Sequence, residues 1–556
     1  MILTLFFMIV LLGLSSVFVL RAVNENRIAG IELENTKAFY AAQGGNQAGL
    51  NQVDTLINNY LQTTITSANP SGVISNATSK VASGDGIGWL IYAVRNNNVP
   101  VLTQNGEQAE YAQSGTLGNI NYTYNITLTE KSDPVSAGQD AWDFPYSYRL
   151  ETTSSSSGIT GKVVTKGDFT VRVQRDNFAK FALFTNTQTT QSGTKVWFTD
   201  KTNFSGPVHT NDRFNFALNP SGTFDGLATE FQPTARFYNQ GNYVLLDANL
   251  NGTVDVPTFN AGFNRNVSSI TLNSSTQEQN FINQAKANTN TNSNGIYVPH
   301  NGPNLKGGVY VKGDGTIDLS VDNSNNAVYT ITQGAATKKV TVQRVAQQTV
   351  VDDITQGTSQ TYAGVPNGVD GVGTIIYVEG SITSLKGTVE KDTQLTISSK
   401  NDVVITNHLK YAEYTPAVGT PGTVGYVPPS ADGETNLLGL VTWHGNVRIG
   451  TAAPNNIAVH GSILAQNGVF QVDSYDNTGV GPRGIATLLG GFISNNYGAF
   501  GLFNGSTGQA ISGYGRNFVY DQRMLIGNAP PYFPSLTTFV AFTNDITDKL
   551  VWQEGQ

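Results

Sequence analysis

Residues 1–50 read MILTLFFMIV LLGLSSVFVL RAVNENRIAG IELENTKAFY AAQGGNQAGL, and the junction between Leu20 and Arg21 decides the fold. Met1 to Leu20 carries no charge, and a run of that length suits a helix that crosses a bilayer, which takes about 20 apolar residues. A secretory signal would place basic residues before a shorter apolar core and a small-residue cleavage site after it, and this stretch shows neither flank. Past the junction, Ile28, Ile31, Phe39, Ala42, Leu50, Val53, Ile57 and Tyr60 recur mostly at helical spacing, which predicts one apolar face of an amphipathic helix. The two patterns join without a Pro, so the reading is a single helix from Met1 to about Leu61, roughly 90 Å long at 1.5 Å per residue. Gly44 and Gly45 offer a place to bend, and Ser67, Asn69 and Pro70 mark the end.

The stretches Arg27-Ile28-Ala29-Gly30, Ala38-Phe39-Tyr40-Ala41-Ala42 and Ala48-Gly49-Leu50 resemble the N-terminal signature of PilX-type minor pilins, within the type IV pilin-like family. The resemblance implies removal of a short charged leader by a prepilin peptidase and N-methylation of Met1 as the mature terminus. It implies inner-membrane residence before assembly, then packing against other pilin subunits through residues such as Leu5, Leu12 and Val19. Leu5 stands where most major pilins carry Glu, which points to a minor or tip-type subunit.

The rest of the 556 residues has an unusual surface chemistry. Charged residues are only 13%, about half the ordinary share, while Gly, Asn, Thr and Ser are abundant. There is no Cys, so no disulfide staples the fold. A net charge of −8 argues against a general nucleic-acid footprint, and the basic group Lys338, Lys339 and Arg344 reads as a solvated strand edge. Tyr122 to Thr129, Tyr146 to Thr152 and Asp168 to Val173 alternate β-formers with polar residues and predict antiparallel strands, with Ser154 to Gly158 as a turn or loop.

From about Gly193 the pattern becomes short strands punctuated by Gly and Asn, for example Gly308 to Gly315, Thr374 to Gly380, Leu395 to Ser399, Val403 to Ile405 and Ile457 to Leu464. The one helix-period segment is Thr276 to Ala287. A sandwich would give similar spacing, but a β-solenoid better explains the low charge and the Asn- and Gly-rich corners. The segments Gly206 to Asn211, Val378 to Gly387, Leu438 to Val441, Tyr520 to Arg523 and Pro530 to Pro534 resemble the large C-terminal domain of ComZ-like minor pilins. That resemblance implies a β-solenoid near a pilus tip.

The strongest local chemical motif is Asp247, Asn249, Asn251, Thr253 and Asp255, with Gly252 at the turn. Oxygen side chains at alternate positions reproduce the first part of a calcium loop, although Thr258 replaces its final bidentate Glu; the competing reading is a self-capped Asx-rich turn. The histidines 209, 300, 408, 444 and 460 form no HxH or HxxxH pair, and His209 reads as a turn residue bonded to backbone. Tyr426, Tyr475, Tyr497 and Tyr514 would stack on sugars or bases if exposed and otherwise pack the wall. Sequons such as those at Asn121 and Asn125 permit glycosylation.

These readings converge on an α+β pilin-like N-terminal module, a long helix plus an antiparallel sheet, followed by a large all-β solenoid domain. The expected divisions are 1–20 membrane and filament-core helix, 21–67 amphipathic continuation, 68–190 pilin-like head and 191–556 β-rich domain. The expected role is structural and adhesive, without catalysis and with calcium as the sole candidate cofactor. Partners are other pilins, the inner membrane, and a glycan, surface or DNA ligand. A membrane-anchored adhesin and a polysaccharide-acting β-helix enzyme are the alternatives.

Overall fold

The computed structural model describes residues 1–55, 84–95, 102–138, 141–199, 202–217, 222–239, 242–246, 257–272, 275–368, 371, 373–504 and 509–549. Two compact units emerge: residues 1–175 with 537–556, and residues 176–536.

The first unit begins with α1 (Ile2–Asp54), which stays helical through Gly44 and Gly45 rather than stopping there. A second helix, α2 (Gly86–Arg95), buries Ile87, Leu90 and Ile91. The strands are β1 (Thr103–Asn105), β2 (Gln108–Leu117), β3 (Ile120–Glu130), β4 (Val135–Gly138), β5 (Ala141–Ser156) and β6 (Ile159–Asn177). They form an antiparallel sheet in the order β1-β2-β3-β5-β6, with β4 paired to β5. The expected strands all fall inside it. The segment expected to be a loop from Ser154 is strand as far as Ser156, and the reversal is confined to Ser157 and Gly158, both at positive φ.

Alternation sets which face is dry. On β5, Phe144, Tyr146, Tyr148 and Leu150 are buried, and they meet Ile126 and Leu128 of β3 and Phe169, Val171 and Val173 of β6. The intervening residues carry charges in pairs, such as Arg172 Nε to Asp143 Oδ1 at 2.7 Å and Lys162 Nζ to Glu151 Oε1 at 2.7 Å. The C-terminal strand Ser535–Lys549 joins this sheet beside β6. The expected single β-rich domain over 191–556 differs from this division: residues 176–536 form the second unit, inserted in the chain between two strands of the first.

The second unit is built on parallel pairing. One ladder runs, in spatial order, through Val309–Lys312, Thr374–Glu379, Gln394–Ser399, Leu437–Thr442, Ala458–Ala465 and Pro482–Asn496. It continues with Leu183–Thr187, Val208–Thr210, Ala228–Glu230 and Phe263–Asn264. The chain therefore starts mid-ladder at Leu183, works outward to Asn264, and resumes at the far end with Val309 after the helix Ser275–Lys286. It then returns until Phe492 pairs with Leu183. A second parallel ladder joins Gly315–Val321, Ile382–Val389, Val403–Tyr411, Val447–Ile449 and Phe470–Val472.

Identical side chains stack where strands pair in register. Phe216 lies opposite Phe237 with ring centroids 5.0 Å apart, and Phe224 lies opposite Phe259 at 5.3 Å. At the corners, Asn211 Nδ2 donates to Asn186 Oδ1 and Asn186 Nδ2 to Asn495 Oδ1, each at 3.0 Å. These stacked amides give the abundant Asn a physical use. Gly490, at φ 144°, lies directly on the neighbouring strand, where a Cβ would come within 2.1 Å of the Gly461 carbonyl oxygen.

Antiparallel pairs also occur in this unit, the most extended run being a meander of Gly315–Val321, Ala327–Gln333, Ala336–Gln343, Gln348–Asp353 and Thr358–Ala363. It corrects the reading of Lys338 and Lys339 as a strand edge. Both lie in an inner strand opposite Asp353 and Asp352, and Lys338 Nζ comes 3.6 Å from Asp353 Oδ2.

Candidate functional site

Among the described residues, the longest run of exposed large apolar side chains is the first part of α1. Leu5, Leu12 and Val19 are 62%, 67% and 62% exposed, and large apolar side chains remain open along the helix as far as Leu33. By length and composition this helix can cross a membrane. Soluble surfaces rarely expose so long an apolar face, and leaving it in water is costly at about 25 cal/mol per Å².

The second part of α1 is packed instead. Ala38, Ala41, Ala42, Gly45, Asn46, Gly49 and Val53 are buried, at helical spacing along one face. The expected stripe differs: Ile28 and Ile31 are exposed, Phe39 and Leu50 are only half-buried, and Ile57 and Tyr60 lie outside the described residues. Small residues win because the sheet approaches closely. A Cβ on Gly45 would lie 2.5 Å from the Tyr122 ring, and one on Gly49 would lie 2.6 Å from Leu150.

Polar contacts fix the register of that packing. Asn46 Oδ1 accepts from Thr165 Oγ1 at 2.8 Å, and its Nδ2 donates to Thr152 Oγ1 at 3.4 Å. Ser154 Oγ donates to the Ala38 carbonyl at 2.5 Å. Glu34 accepts from Lys37 at 2.7 Å, Ser156 at 2.5 Å and Ser157 at 3.2 Å, so one carboxylate holds the helix and the β5–β6 turn together. Those donors, Lys37 first and Ser156 next, hold its pKa down to about 2. Asn46 and Glu34 were not singled out from the sequence, and an Asn in an otherwise small-residue helical stripe was the available signal.

The other predicted positions are dispersed. Asp247, Asn249, Asn251, Thr253 and Asp255 lie outside the described residues. His209 is buried, with Nδ1 2.8 Å from Thr229 Oγ1 and Nε2 3.0 Å from Asn211 Oδ1, so it bonds side chains rather than backbone. Burial lowers its pKa to about 4. His460 is also buried, its Nδ1 accepts from the Tyr411 N–H, and burial lowers its pKa to about 3. His444 meets Glu278 at 2.9 Å. Tyr497 and Tyr514 are packing residues inside the core, and the Tyr426 hydroxyl accepts from Asn517.

The segments that carried the second resemblance converge on the first parallel ladder. The Tyr520 ring covers Gly206, where a Cβ would come within 2.3 Å. Arg523 pairs with Asp521 at 2.6 Å and donates to the Asn436 carbonyl at 2.8 Å. Thr396 Oγ1 donates to the Pro531 carbonyl at 2.5 Å.

Residues 143–230 match a family described as a domain of unknown function, DUF4900. No curated protein matches the chain. Among solved structures it is similar to the competence-associated pilin ComZ from Thermus thermophilus, at 12% identity over 93% of this chain and 98% of that one, with a TM-score of 0.32. A superposition that shallow carries no weight, so the functional reading rests on α1 and the sheet beneath it.

Proposed function

We propose that this chain is a type IV pilin-like filament subunit, a minor or tip pilin. The single observation that supports the reading is the division of α1 into an unpartnered apolar part and a part packed on an antiparallel sheet. Such a helix has two ways to leave water: lipid before assembly and neighbouring subunit helices afterwards. The two parallel ladders are read as walls of a β-solenoid that presents a low-charge surface for adhesion or partner contact. Asp247 to Asp255 stays the candidate calcium loop, serving to stiffen a turn.

Replacing Leu12 with Asp tests this role, because a carboxylate in either apolar setting must be neutralised or expelled. The expected result is loss of both membrane retention and filament incorporation; incorporation of L12D would defeat the proposal. Mass spectrometry of the N-terminal peptide and immunogold labelling of sheared filaments complete the test. A methylated Met1 with label at filament ends identifies a tip pilin, and label on the envelope alone favours the anchored adhesin.

A further inference from the structure

Glu230 closes the strand Ala228–Glu230, and its side chain is fully buried. Oε2 accepts from the Phe214 N–H at 2.8 Å, while Oε1 has no hydrogen-bond partner among the described residues. The Glu230 carbonyl accepts from Val267 N–H at 3.2 Å. On either side, Ala228 N–H donates to Gly262 and Asn266 N–H to Gln232, both at 3.1 Å. The main chain of Glu230 therefore lies at the seam where the last strand of the ladder docks, and its carboxyl reaches from there to the Phe214 N–H.

Its charged surroundings come from three segments. Asp212 and Arg213 lie in the turn before Phe214, and Asp212 Oδ2 accepts from the Gln188 N–H at 2.9 Å. Arg213 Nε donates to the Thr234 carbonyl at 2.7 Å, Arg236 Nη1 to Asn215 Oδ1 at 2.5 Å, and Arg265 lies 5.1 Å from the Phe263 ring centroid. His209, on the adjoining strand, is engaged with Thr229 and Asn211. Arg213 and Arg236 donate elsewhere, while Arg265 Nε and Nη1 have no hydrogen-bond partner among the described residues; none of the three forms an ion pair with Glu230, so a negative charge held where the carboxyl now lies would be poorly compensated.

We propose that Glu230 is a proton-dependent latch: its neutral carboxyl keeps Phe263 to Val267 docked on Ala228 to Gln232, and ionisation loosens that last strand pair. Burial pushes the carboxyl up to about 8, with the Phe214 N–H, Arg213 and Arg265 opposing only part of that effect. When a folded carboxyl titrates above its open-state value of about 4.5, docking is strongest below pH 4.5 and weakens until the folded value is passed.

Hydrogen exchange of the full chain in detergent, corrected for intrinsic rates, tests the latch at peptides spanning 226–233 and 257–272. Protection should fall about tenfold per pH unit between pH 5.5 and 7.5, because opening releases one proton, and level off above pH 8. Meander peptides spanning 327–342 should show no such slope. Glu230→Gln should flatten the profile at 226–233 and 257–272. A flat native profile, or a slope that persists in E230Q, overturns the latch. Should E230Q fail to fold, the native slope against the flat meander decides.

Discussion

Gly161 of β6 lies against the main chain of Ala38 in α1, where a Cβ would come within 2.6 Å of the Ala38 carbonyl carbon and oxygen. Nothing flexible stands at that contact to give way. Gly161→Val should therefore lift the helix from the sheet and cost about 1–3 kcal/mol, the usual range for overpacking. Urea unfolding of the full chain in detergent, followed at the first unit, measures it; an unchanged midpoint would mean the helix is free to shift.

Asn46 supplies a buried amide between Thr152 and Thr165. Removing it leaves two hydroxyls without that partner in a dry contact, so Asn46→Ala should destabilise the unit by about 1–3 kcal/mol. Thr165→Val combined with N46A tests the pairing, since a double-mutant cycle should show the two losses to be non-additive.

Glu34 gives a pH dependence of defined sign. Its folded pKa of about 2 lies below the ordinary 4.5, so the stabilisation is complete above pH 4.5 and is lost as pH falls towards 2. Exchange of the amides in the β5–β6 turn should accelerate over that window beyond the intrinsic rate. Glu34→Gln should remove the dependence, and a native profile that stays flat down to pH 2 would contradict the assignment.

Phe216 touches Phe198, Phe237, Phe224 and Phe263 in the stacked interior of the early strands. Phe216→Ala should cost about 3–5 kcal/mol, because the surrounding rings sit on successive strands that cannot collapse into the void. A thermal scan of the full chain checks it, and a Leu replacement should recover part of the loss.

The apolar run Met1 to Leu20 and the strands around Tyr122, Tyr146 and Asp168 follow from period alone, since hydropathy reports faces that stay apolar over many residues. The buried face of α1 escapes such reading, because Ala38, Ala41, Gly45 and Gly49 matter for their small size. Helix α2, GIGWLIYAVR, is only 10 residues long and mostly apolar, so a buried strand would read much the same. Its start is set from afar, by Glu130 accepting from the Gly86 and Ile87 N–H groups. The pairing of Leu183 with Phe492 depends on partners distant in sequence, which local pattern does not report. For the site, the exposed helix was readable and its fastening by Asn46 and Glu34 was not.

The meeting of Pro482–Asn496 with Leu183–Thr187 has a consequence for how the chain folds. Asn186 and Asn495, bonded across this seam, stand 309 residues apart, so strand Leu183–Thr187 leaves the ribosome long before one of its neighbours exists. Until then that edge offers unpaired N–H and C=O groups to any passing strand. Pairing this distant is slow to form, and a slow, open edge favours aggregation. Maturation of this unit should therefore be limited by closure of the seam, and truncation before residue 482 should yield a chain that forms its early strands yet stays dependent on a chaperone.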